Sequence, residues 1–73
     1  MNNLPTHTCS IITQRIRHLL NSFGESQTWV ARLFQHAAIE VSKGMAENEA
    51  IKVAFMKILG YSVNDSDFFG SPE

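Results

Sequence analysis

The imidazole and thiol groups of this chain are His7, Cys9, His18 and His36, and apart from thioethers they are its only soft metal ligands. A structural zinc site gathers such ligands at spacings like Cys-x2-Cys or His-x3-His, and no pair here has that spacing. His7 and Cys9 also lie in or beside a polar N-terminal stretch. They read as solvated histidines and a small, semi-buried thiol, so no metal and no cofactor is assigned.

Nucleophilic catalysis asks for Cys9 or a serine beside a histidine that a third group holds in place, within a pocket of ~300 Å3. A chain of 73 residues has little room for one. It carries no glycine-rich phosphate loop, no nucleophile elbow and no His-Glu-x-x-His pattern. Asp65 and Asp67 stand close together near the C-terminus, but paired carboxylates do acid-base work where a cleft separates their ionisation. In this position they suit a solvated tail or the start of a turn. The expectation is a protein that is not an enzyme.

Two binding chemistries remain. A helix, a turn containing Gly24 and a second helix form the outline of a helix-turn-helix, whose second helix would present Gln27, Thr28, Arg32 and Gln35 to base edges or phosphates. Against this, the basic residues Arg15, Arg17, Arg32, Lys43, Lys52 and Lys57 are scattered and interleaved with acids, and the formal charge is −1. A nucleic-acid footprint is normally a basic cluster. DNA binding is therefore the alternative reading.

The favoured reading rests on apolar residues that fall off the helical stripes. Ile39, Val53 and Met56 lie on the polar side of their elements, and Phe68 and Phe69 sit adjacent in the C-terminal segment. Burying the first three on each of two copies contributes roughly 9–18 kcal/mol, against an association cost of ~4–15 kcal/mol. Non-catalytic protein interaction as a homodimer is expected, with Ile39, Val53, Met56, Phe68 and Phe69 as candidate partner-binding residues. A competing account has Val53 and Met56 covered by the folded-back aromatics of the chain's own tail.

The elements that position these residues follow from helical periodicity. Ile12, Ile16, Leu19, Leu20 and Phe23 form one face of a first helix, capped near Thr8 or Ser10 and ended by Gly24 after about Ser22. Ser26 can cap a second helix reaching about Lys43, with Trp29, Val30, Leu33, Phe34, Ala37, Ala38 and Val41 inward and Gly44 as terminator. A third runs from near Ala46 to Leu59, with Ile51, Ala54, Phe55 and Ile58 inward. Its first turn carries Glu47 and Glu49 and its end carries Lys57, as the helix dipole favours. Asn64 and Asp67 resemble a capping arrangement for a short turn containing Phe68 and Phe69.

This pattern predicts an all-α fold, a compact bundle of three amphipathic helices with a short C-terminal extension. Residues 1–7 read as a flexible arm, 8–63 as the three-helix domain and 64–73 as an acidic and aromatic tail. An apolar content of 44% with 18% charged residues is that of a folded globular chain, and no run is long enough to span a membrane. The N-terminus does not resemble a secretory signal, and a single cysteine forms no internal disulfide. A cytoplasmic location is the expectation.

Overall fold

A computed structural model describes residues 4–69, and these fold into three α-helices with no strand among them. Helix α1 spans Thr6–Ser22, α2 spans Val30–Ser42 and α3 spans Glu47–Leu59. The predicted helical bundle is the observed architecture.

Helix α1 begins earlier than the polar N-terminal sequence suggests. Pro5 is its N-cap residue, with φ −58°, and the Pro5 carbonyl accepts the Cys9 amide at 3.0 Å. Proline fixes φ near the value a helix start can use, and it has no amide to satisfy. Leu4, just before it, packs against the core. The expected caps Thr8 and Ser10 are thus inside the helix, no side chain caps it, and Thr6 and His7 are helical rather than part of an arm. Residues 1–3 of the expected arm lie outside the described residues.

Gly24 and Gly44 reverse the chain between consecutive helices, with φ of 72° and 110°. Only glycine takes such values without a Cβ penalty. Each sits in a closing turn of the same form: the Glu25 amide reaches back to the Leu20 carbonyl at 2.8 Å, and the Met45 amide to Glu40 at 3.0 Å. These bonds satisfy carbonyls that a helix end leaves without partners.

The second element is not one uniform helix. The Ser26 side chain accepts the Thr28 amide at 3.1 Å and opens a 3-10 turn, Gln27–Trp29, that runs directly into α2. Gln27 Nε2 also donates to the Arg17 carbonyl at 3.1 Å, tying this turn to α1. Tighter 3-10 winding is common where a helix starts.

The core draws Ile12, Ile16, Leu19 and Leu20 from α1, Leu33 and Ala37 from α2, and Ala50, Ile51, Ala54 and Phe55 from α3, all fully buried. Val63 joins them from the segment after α3. On α2 the predicted wide stripe narrows, since Trp29, Val30, Phe34 and Val41 pack only at the edge of the core. Arg15 pins the start of α3 to α1 through Asn48 Oδ1 at 2.9 Å and Glu47 at 3.4 Å. Beyond α3, Tyr61 stacks on Phe23 with centroids 4.7 Å apart, and its hydroxyl donates to Glu25.

Candidate interaction surface

The chain leaves α3 at Gly60 and turns back along the helix. Lys52 meets Asp65 at 2.5 Å and Glu49 at 3.2 Å, which anchors the returning segment. The Lys52 ammonium is held above its ordinary pKa of 10.5, first by the hydrogen bond to Asp65 and then by that to Glu49. Between helix and returning segment lies an open groove of about 320 Å3, lined by Lys52, Val53, Met56, Lys57, Tyr61, Ser62 and Val63. Its floor is mostly apolar side chain and two lysines flank it.

The described residues of the tail do not line this groove. Asn64 and Asp67 form the expected capping arrangement, with the Asn64 amide donating to Asp67 Oδ2 at 2.8 Å and the Asp67 amide to the Asn64 carbonyl at 2.9 Å. The 3-10 turn Asp65–Phe69 that follows packs against α1. Phe68 is half-buried there and touches the core, whereas Phe69 is 78% exposed. Of the competing account, in which the tail aromatics cover Val53 and Met56, the described residues show one part: Phe68 packs on the bundle, in a turn that lies against α1.

The five candidate partner-binding residues therefore separate. Val53 and Met56 line the groove together, with Met56 49% exposed. Ile39 is 54% exposed on α2 but does not line it. Phe68 is committed to the intramolecular core, and Phe69 is an exposed ring at the end of the described chain. Sequence periodicity did not reveal Lys52, Tyr61 or Val63 as walls of the groove. Their placement depends on the path of the chain after Gly60.

The alternative nucleic-acid set is placed differently from a recognition helix. Gln27 and Thr28 belong to the 3-10 turn, where Gln27 bonds to the Arg17 carbonyl and Thr28 Oγ1 lies 2.9 Å from Ser26 Oγ. Arg32 and Gln35 are exposed on α2. The four do not share one regular helix.

The soft ligands stay apart. His7 and His18 are exposed on α1, Cys9 is half-buried, and His36 is half-buried on α2 with Nδ1 enclosed and without a hydrogen-bond partner. Among the described residues no three metal-ligating side chains gather at one place. A second open groove, about 400 Å3, runs along Thr6, Cys9, Ser10, Thr13, Gln14 and Arg17 of α1. Among the described residues no histidine or carboxylate lines it to activate the thiol or a hydroxyl. No helix among the described residues is long and apolar enough to cross a membrane. Comparison with protein-family models, with curated proteins and with solved structures yields no match.

Proposed function

We propose that this protein is a small, non-catalytic interaction module of the cytoplasm that associates with itself through the groove on α3. The observation that carries the reading is the pairing of Val53 and Met56 in an apolar groove that Phe68 and Phe69 do not line. Two further points agree with it. A core of this size rarely stabilises a fold by more than ~3–5 kcal/mol unaided, and covering apolar surface on a second copy adds to that. The single cysteine also leaves the fold without an internal disulfide to maintain, which suits a reducing compartment.

The groove sets the strength of this association. Ile39 does not line it, so two side chains on each copy carry the contact. Val53 and Met56 are already partly covered, and completing their burial on both copies contributes roughly 3–6 kcal/mol. Set against an association cost of at least ~4 kcal/mol, these two side chains roughly balance the cost, so any dimer depends on further contacts at the groove edges and is weak and exchanging rather than obligate.

Light scattering across a wide concentration range tests the proposal. Mass should rise from monomer toward dimer as concentration increases, and Val53→Glu should hold the protein monomeric by placing an unpaired charge in the contact. A wild-type chain monomeric at every concentration, together with a salt-sensitive duplex interaction lost in Arg32→Ala, would replace this reading with the nucleic-acid one.

A further inference from the structure

Resting on the proposed self-association, we infer its geometry: α3 pairs antiparallel with α3 of a second copy, centred near Val53, with Glu49 of each copy against Lys57 of the other. The outward face of α3 carries Glu49, Val53, Met56 and Lys57, at positions i, i+4, i+7 and i+8. At 100° per residue these four fall within about 100° of arc, the width of a single helix-packing stripe. The first is acidic, the middle two are the apolar groove residues, and the last is basic.

The order of charges selects the occupant and its direction. Glu49 and Lys57 are eight residues apart, or about 12 Å along the axis, with Val53 midway between them. Turning a second α3 end for end about Val53 sets each Glu49 beside the other copy's Lys57 and brings the two Val53–Met56 pairs together. A parallel copy would instead set glutamate against glutamate and lysine against lysine. Like charges held together across an interface oppose association, so the face is complementary to itself in one direction only.

The neighbouring charges are compatible with this contact. Lys57 is exposed and makes no ion pair with any described residue, so it is available to a partner. The Glu49 side chain is 59% exposed although one oxygen bonds Lys52. Lys52, the other lysine at the groove, enters with its charge matched by Glu49 and Asp65.

Charge reversal reads the geometry directly. Sedimentation equilibrium would be run on the wild-type chain, on Glu49→Lys, on Lys57→Glu, on their equimolar mixture, and on the doubly reversed chain. Each single reversal should weaken self-association by about tenfold or more, the factor corresponding to ~1.4 kcal/mol. The mixture and the double variant should both return to within about threefold of the wild-type affinity, because each restores opposite charges at both ends. A folding defect would not be repaired by mixing, which separates it from a lost contact. A wild-type dimer indifferent to the single reversals, or weakened by them without recovery in the mixture, overturns the α3 pairing and leaves self-association standing. A wild-type chain monomeric throughout overturns both.

Discussion

Phe55→Ala is the sharpest test of how the bundle holds together. Phe55 is the largest of the fully buried side chains, and its ring lies 6.0 Å from that of Phe23 at an interplanar angle of 56°. Through Phe23 it supports the Tyr61 stack, so one ring links the core of α3 to the end of α1 and to the segment that walls the groove. Truncating a buried phenylalanine to alanine costs ~3–5 kcal/mol, the spread reflecting how far neighbours relax into the cavity. The tilted contact with Phe23 is part of that loss. With no more than ~3–5 kcal/mol of stability expected from a core this small, the variant should be largely unfolded or barely folded in water. Phe55→Leu, which keeps most of the volume, should lose only ~1–1.5 kcal/mol. Urea titration followed by far-UV circular dichroism, at a dilution where the wild type is monomeric, measures both. A Phe55→Ala loss below ~1 kcal/mol with an unchanged denaturant slope would refute the core assignment.

Gly44→Val should destabilise by ~1–2 kcal/mol through backbone strain alone, since a Cβ at this position meets nothing within 4 Å while φ is 110°; Gly44→Asn should be milder in the same urea titration. Stability should fall as pH rises above about 10, because Tyr61 and Lys52 both hold their protons more tightly when folded. The Tyr61 phenol is raised above its ordinary value of 10.0, first by its hydrogen bond to Glu25 and then by partial burial and the Glu25 charge. The folded chain therefore binds more protons than the unfolded one in this range, and the stabilisation present below pH 10 is lost as pH climbs through the folded values. Tyr61→Phe should flatten this alkaline decline in thermal melts, and an unaltered decline would count against the Glu25 contact. Truncation after Val63 removes the half-buried Phe68 and the Lys52–Asp65 anchor and should cost ~1–2 kcal/mol; melting identical to that of the full chain would mean that the turn adds nothing.

Local signals in the sequence were sufficient for much of this fold. The α1 face shows at helical period because Ile12, Ile16, Leu19 and Leu20 are all buried on one side, and Gly24 and Gly44 mark the two reversals because few other residues tolerate positive φ. The same periodicity singled out Ile39 and Met56 as apolar residues facing away from the core, and both are exposed. It failed where long-range contacts decide. The burial of Val63, the stack of Tyr61 on Phe23 and the placement of Phe68 against α1 depend on residues distant in sequence. Alternation along one element carries no record of them. The start of α1 was missed because its first turn, Thr6 to Cys9, is polar in character. Pro5 and the contact of Leu4 with the core set that boundary. The site was half legible: Val53 and Met56 stood out by type and phase, while the lysine flanks and the returning wall emerge only from the chain path.

The central claim is that the Val53–Met56 groove is covered by a second copy of the chain, and methyl-resolved nuclear magnetic resonance on dilution tests it at the residues concerned. On the proposed account the Val53 and Met56 methyl signals shift progressively as the protein is diluted, while those of Ile12 and Ile16 in the core stay fixed. Signals at Val53 and Met56 that remain constant across the whole concentration range, or a falling mass accompanied by shifts only at Ile39 or elsewhere, would contradict it.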